Sequence, residues 1–372
     1  MESPDPPLDA YAVLAAILRG AVPPSCAILG QDAQQLLVAQ AQREGVAGLL
    51  HARLSESAEQ MRIPASLQQT SAHAAQLEAV RSLRLESYCR RILARLDEEN
   101  IPVLLLKGSA LAYWAYSAPY LRPCSDIDLL VRSRTDAKRV QQILSELGYH
   151  APSLGLPGDL VCFELTLTTE DPSLAPAVDL HWRLSSAPMF ACRLGWEELT
   201  AEAIELPALA PNARGLGLIH AYLHACMHRV QNIAIDQANR LKWLFDLKLL
   251  GNHFQDQDWE RLASLAIERN LARACLDGAE ASAALLGGLM PEPVRLELQK
   301  AARHDPMDLT RMHQWWYIQR MNLAAFPTLK LKSRWIRQRL LPDPGYLKAR
   351  YGTSITTAIW SRLRAAWARS RT

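Results

Sequence analysis

The ten residues from Arg122 to Val131, RPCSDIDLLV, constrain this chain more than any other stretch. A short apolar run such as DIDLLV reads as a buried strand, and in a strand residues i and i+2 point to the same side. Asp126 and Asp128 therefore share one face where the strand begins. Two unit charges about 6 Å apart repel by roughly 2–3 kcal/mol at an effective dielectric near 20. Something must offset that repulsion. A divalent cation is the direct candidate; a solvated strand end or a pair of caps is the plainer one.

The surroundings are α/β in texture. IPVLLLKG is a short apolar run closed by glycine, read as a buried strand, and SALAYWAYS as a short helix. RTDAKRVQQILSELGY is a helix stopped by Gly148. LVCFELTLT alternates as a half-buried strand does, TEDPSLAP turns, and AVDLHWRL is a further strand. This gives about four strands and two helices between Ile101 and Leu184. The first hundred residues read as helical. One helix is capped by Asp9 and stopped by Gly20, and a second runs from Asp32 to Ala52. A long one follows Pro64, with Leu77, Val80, Tyr88, Ile92 and Leu96 on one stripe. After Ser185 the chain is mostly helical again. LPALAPNARG is a connector, LGLIHAYLHACMHRV and QANRLKWLFDLKLL are amphipathic helices, and MHQWWYIQRMNLAAF is another. The expected class is α+β: a small mixed sheet flanked by helical domains at both ends. The boundaries fall at 1–99, 100–185, 186–326 and 327–372.

The formal net charge of +3 gives no reason for the whole molecule to bind nucleic acid. The charge is uneven, however. Eleven of the 41 Lys and Arg residues follow Pro327, against one acid, Asp343. That tail interleaves arginine with Trp335, Trp360 and Trp367. Such a pattern suits an anionic membrane surface, a protein partner, or docking on the acidic body of the same chain. The seven cysteines form no CxxC pair, so a reduced cytosolic setting is expected, with peripheral membrane attachment left open. The acidic, proline-rich start does not read as a signal peptide.

Three pieces then stand in order. Gly108 and Ser109 close the first strand and open a helix, Asp126 and Asp128 begin the second strand, and Asp179 lies in VDLHW. A helix start presents free N–H groups to a phosphate; Gly108 permits close approach and Ser109 adds a hydroxyl. Carboxylates converging from adjacent strands can hold two magnesium ions. KGSALA, RPCSDIDLLV and VDLHW together resemble the polymerase-β-like nucleotidyltransferase superfamily, and in it the uncharacterised bacterial nucleotidyltransferases. The motif core covers Lys107 to Arg183; RLKWLFDLKLL and LLPDPGYLKARYG resemble the helical C-terminal part of that group. The resemblance implies that Gly108 and Ser109 bind the β- and γ-phosphates of a nucleoside triphosphate. It further implies that Asp126 and Asp128 bridge two Mg²⁺ ions, and that Asp179 completes the catalytic metal site. The implied reaction moves a nucleoside monophosphate to a hydroxyl of a small molecule, peptide or sugar. Transfer of a phosphoryl group, or a non-catalytic nucleotide-binding scaffold, are the alternatives. Sixteen residues separate Ser109 from Asp126, longer than the superfamily's usual gap, so base preference does not carry over.

Further candidates surround this core. Lys107 neutralises a phosphate oxygen or snorkels to the surface, and Arg122 clamps a phosphate or pairs with an aspartate. His181 shares a strand face with Asp179 as an acceptor-binding group or a packed support, and Glu164 lies near it if the two strands pair across the turn. His220, His224 and His228 form an i, i+4, i+8 ladder without the acidic partner of a zinc helix. Arg240, Lys242 and Asp246 are read as acceptor-groove or solvated positions.

Overall fold

The computed structural model describes residues 9–151, 157–171, 173, 175–288, 290–351, 357, 360 and 364. Its N-terminal helices are α1 (Ala10–Arg19), α2 (Gln31–Glu44), α3 (Ala47–Met61) and α4 (Ala65–Glu98). Asp9 caps α1 by accepting from the Ala12 amide at 3.0 Å, and Gly20, at φ 105°, ends it. The helix expected over Asp32 to Ala52 is two helices: Gly45 adopts φ 70°, a left-handed C-cap that breaks the run. The stripe expected on α4 is also corrected. Leu77 and Val80 are exposed; the buried residues are Leu67, Ser71, Ala74, Ala75 and Glu78 in the first half and Leu85, Cys89, Ile92, Leu93 and Leu96 in the second. The helix has 34 residues: its second half lies on the sheet, and Leu67 and Ala74 of its first half join the core built with α1, α2 and α3.

Next come β1 (Leu104–Leu105), α5 (Lys107–Leu111), β2 (Asp126–Leu130), α6 (Arg134–Glu146), β3 (Glu164–Leu167) and β4 (Ala177–His181). α7 (Pro188–Ala191), α8 (Trp196–Ala201), β5 (Ile204–Glu205) and β6 (Arg214–Gly215) follow. The sheet has six strands in the order β3-β4-β2-β1-β6-β5. β2 runs parallel to β4 and antiparallel to β1, so the sheet is mixed. The stretch expected to be a plain connector contributes β6 and, with the residues before it, a small hairpin that extends the sheet past residue 185. Two-residue strands leave no alternation to read.

One face of the sheet is hydrocarbon. Ile127, Leu129, Val178 and Leu180 pack against the buried residues of α4 and against Val140, Ile143 and Leu144 of α6. The residues between them in sequence point the other way and carry the site.

The remaining helices are α9 (Leu218–Gln231), α10 (Leu241–His253), α11 (Asp256–Glu268), α12 (Ala272–Leu286), α13 (Glu292–Ala302), α14 (Trp315–Ala324), α15 (Leu329–Leu340) and α16 (Pro344–Tyr351). The N-terminal and C-terminal helices flank the sheet, and the two sets meet in a shared core. Leu14, Ile17, Leu37 and Leu50 share one core with Leu223, Leu244, Leu262 and Cys275. Arg19 seals the contact by donating to the Ala284 and Leu285 carbonyls at the end of α12, at 3.0 and 2.9 Å. Trp335 of the basic tail is buried, and α15 is tied to the body by Arg334, 2.5 Å from Asp159. Trp360 is exposed, and Trp367 lies outside the described residues. Among the described residues no helix is long and apolar enough to cross a membrane.

Candidate active site

Register builds the site. In the parallel pair β2–β4, Asp128 stands beside Asp179, and in the antiparallel pair β3–β4, Thr166 faces Asp179 and Glu164 faces His181. Asp126, Asp128, Asp179, His181, Glu164 and Thr166 thus lie on one face, opposite the hydrocarbon. Asp128, Asp179 and His181 come close enough that one ligand atom from each lies within 4.8 Å of the others, a group that could hold a metal ion. Asp126 shares the face but stands outside that trio.

Asp128 is the hub. It is only 3% exposed, and its Oδ1 receives Lys107 Nζ at 2.6 Å and His181 Nε2 at 3.1 Å. Burial alone would raise its pKa; Lys107 and His181 overcome that and hold the carboxyl well below the usual range. Lys107 shows the converse: burial disfavours its ammonium, yet the Asp128 charge and hydrogen bond lift its pKa above the ordinary value. Asp126 lacks such a partner. Burial first, then Asp128 and Asp179, raise its pKa. Thr166 donates to Asp179 Oδ1 at 2.6 Å and fixes that carboxylate. His181 is 2% exposed, and its Nδ1 lies 3.3 Å from Glu164 Oε2 but outside hydrogen-bonding geometry, leaving that ring nitrogen unpartnered.

The bend before α5 is tightly built. Lys107 adopts φ 49°, a left-handed conformation that costs a non-glycine residue about 1 kcal/mol. It delivers the ammonium to Asp128. Gly108 has no room for a side chain: a Cβ there would meet Cys124 Sγ and, at 2.7 Å, Arg122 Nη1. Ser109 is buried; its hydroxyl donates to the Asp126 carbonyl and accepts from the Asp128 amide, both at 3.2 Å. That hydroxyl therefore fastens α5 to β2.

Of the two readings open for Arg122, the structure shows an ion pair, with a partner the sequence did not suggest. Its Nε and Nη2 donate to Asp246 Oδ1 and Oδ2 of α10, each at 2.7 Å, and Tyr116 adds a third bond at 2.7 Å. The guanidinium packs against Gly108. Asp246 is buried rather than solvated, and with Arg122 it lines a cavity that Lys107, His224 and His228 also touch. Lys107, read as a snorkelling alternative, points inward.

Beside the trio lies a cavity of about 280 Å³, walled by Lys107, Glu164, Asp179, His181, His224 and Gln231 among others. His224 and His228 of the expected ladder line it. Burial, then Lys107, lowers His224 to about 3, and His228 is lowered for the same reasons, so both are neutral imidazoles. His220 sits apart, 3.5 Å from Glu198. Among the described residues no metal-ligating group forms around the ladder. Of the walls supplied by α9, the ladder residues His224 and His228 were visible in the sequence; Gln231 and the pairing of Arg122 with Asp246 in particular carried no local signal.

A mixed sheet thus sets two carboxylates and an imidazole abreast, next to a lysine on a Gly–Ser bend, as a group that could bind a metal ion. A family model described as uncharacterised nucleotidyltransferase matches residues 31–287, more than half of the chain, and the protein belongs to that family. No curated protein and no solved structure matches.

Proposed function

We propose that the protein is a Mg²⁺-dependent nucleotidyltransferase that moves a nucleoside monophosphate from a nucleoside triphosphate to a hydroxyl. The observation that carries this reading is the register of β2 and β4, which sets Asp128 beside Asp179 within reach of His181. Two carboxylate donors suit Mg²⁺, and an imidazole also suits Mn²⁺. When bound, a divalent cation would neutralise the polyphosphate and lower the pKa of the attacking hydroxyl. Asp128 and Asp179 would hold it, with Asp126 on the same face for a second ion. His181 would orient Asp128, to which it is already bonded. Lys107 would exchange Asp128 for a phosphate oxygen as the nucleotide enters, since its positive charge is matched by either anion. The Gly108–Ser109 bend would position the β- and γ-phosphates. The acceptor oxygen attacks the α-phosphorus, the bond from that phosphorus to the bridging oxygen breaks, and pyrophosphate leaves. Asp179 takes the hydroxyl proton.

Calorimetry with each triphosphate, with and without Mg²⁺ or Mn²⁺, tests this. Metal-dependent binding that disappears in Asp128→Asn and Asp179→Asn is expected. Binding that survives both substitutions sinks the assignment.

A further inference from the structure

Helix α15 carries five Lys or Arg among its twelve residues and no acid. Its inner side is firmly seated. Trp335 is buried, its ring centre 6.3 Å from that of Phe326, and Arg334 and Gln338 both bond Asp159. The Leu160 amide adds a bond to Gln338 Oε1 at 2.9 Å. A helix turns about 100° per residue. The side away from Trp335 therefore holds Leu329, Ser333, Ile336 and Leu340 in one row. Lys330 and Arg337 run along one edge of that row, and Lys332 stands on the other. The three apolar members are solvent-facing: Leu329 is 84%, Ile336 40% and Leu340 49% exposed. They add nothing to the packing that holds α15 in place. Nor does the acidic body of the chain neutralise the edges. Asp159 is taken by Arg334, and among the described residues Lys330, Lys332 and Arg337 have no ion pair.

We propose that the outer face of α15 docks on an anionic lipid surface. Leu329, Ile336 and Leu340 enter the headgroup boundary, and Lys330, Lys332 and Arg337 meet the lipid anions beside them. The inference is independent of the transferase reading. An apolar row edged by basic side chains is the chemistry of a helix lying in the interface. From Leu329 to Leu340 the row is roughly 16 Å long at 1.5 Å per residue. That is about half the thickness of a bilayer's hydrocarbon, so the helix lies on the surface and does not cross it. A nucleic acid fits this face poorly. Its phosphates would meet the basic edges, but its bases stack on exposed rings, and the ring of this helix, Trp335, is buried. The apolar row would stay in water. An acidic groove on another protein gains by enclosing a helix, and the body of this chain already occupies one side of α15. A bilayer needs only the convex outer side.

The test is co-sedimentation of the full chain with vesicles of phosphatidylcholine alone or of phosphatidylcholine mixed with phosphatidylserine. The expected result is binding to the mixed vesicles, none to phosphatidylcholine alone, and release as salt is raised. Lys330→Gln with Arg337→Gln weakens partitioning about 25-fold, about fivefold for each charge. Ile336→Ser with Leu340→Ser weakens it by about tenfold or more. All four side chains are exposed, so the urea midpoints of both double variants stay at the wild-type value and show that they fold. Equal binding to the two vesicle types, binding to neither, or binding indifferent to both double variants overturns the proposal. A single-stranded oligonucleotide and sedimentation velocity of the chain alone serve as comparisons. Without binding to the mixed vesicles, oligonucleotide binding lost in Lys330→Gln with Arg337→Gln assigns the face to nucleic acid. Without it also, self-association lost in Ile336→Ser with Leu340→Ser assigns the face to a second copy of the chain. Either result refutes the lipid reading.

Discussion

Two buried carboxylates, Asp128 and Asp246, each meet a cation, and they do opposite jobs. Asp246 is closed. Both of its oxygens are taken by Arg122 in a bidentate fork, and Tyr116 adds a further donor. Asp128 is open. Lys107 and His181 both fall on Oδ1, and among the described residues Oδ2 makes no hydrogen bond. A guanidinium fork fixes geometry, whereas an ammonium is a point charge that can trade one anion for another. The closed pair therefore belongs to the scaffold, bracing the Gly108 bend, and the open cluster is where exchange with a ligand can occur.

The largest expected effect tests the closed pair. Removing one partner of a buried ion pair costs about 3–5 kcal/mol, so Asp246→Ala and Arg122→Ala should each lower the urea midpoint steeply. The double variant Arg122→Met with Asp246→Leu should recover much of that loss. If single and double variants unfold alike, the pair is not the brace described. Next in size, Asp128→Asn should lower the urea midpoint less than the changes at Arg122 and Asp246, because the amide oxygen still accepts from Lys107, but reduce nucleotidyl transfer about a hundred- to a thousandfold. A variant that unfolds before it loses transfer would erase the contrast between the two carboxylates.

Acid provides a third probe, because neutral His224 lines cavities on both sides of Lys107. Its folded pKa, about 3, lies below the unfolded value near 6.5, so the folded state binds fewer protons between those limits. Its contribution is complete above pH 6.5 and is lost as pH falls toward 3. Stability should drop by about 2 kcal/mol by pH 5 from this group, measured by urea titrations at pH 7 and 5, and His224→Gln should flatten the slope. Asp128 follows the carboxylate rule: its depressed pKa stabilises the fold above about pH 4, and that is lost only under stronger acid. The smallest effect belongs to a pair outside both clusters. Asp159→Asn should cost less than about 1 kcal/mol, yet raise hydrogen exchange selectively in residues 329–340. Unchanged exchange there would mean that packing of Trp335 alone secures α15.

These differences track what a sequence can carry. Asp126, Asp128 and Asp179 were legible because strand alternation and element order are local properties. So were the caps at Asp9 and Gly20. The partner of Arg122 was not, since Asp246 lies 124 residues away and nothing in QANRLKWLFDLKLL marks one aspartate as buried. β5 and β6 escaped because two residues have no period. Leu77 and Val80 misled because they keep helical spacing where α4 has run beyond its sheet. The sequence likewise ranked Ser109 by its hydroxyl, whereas that hydroxyl is bonded to β2 on both sides.

That last bond has an evolutionary consequence. With Ser109 riveting the Lys107–Ser109 bend to the aspartate strand, the sheet side of the cavity is one stiff block with little freedom to drift. The opposing wall is supplied by α9, a helix far from these strands in sequence. With the sheet side held in this way, changes to the shape of the cavity fall to the α9 side chains His224, His228 and Gln231.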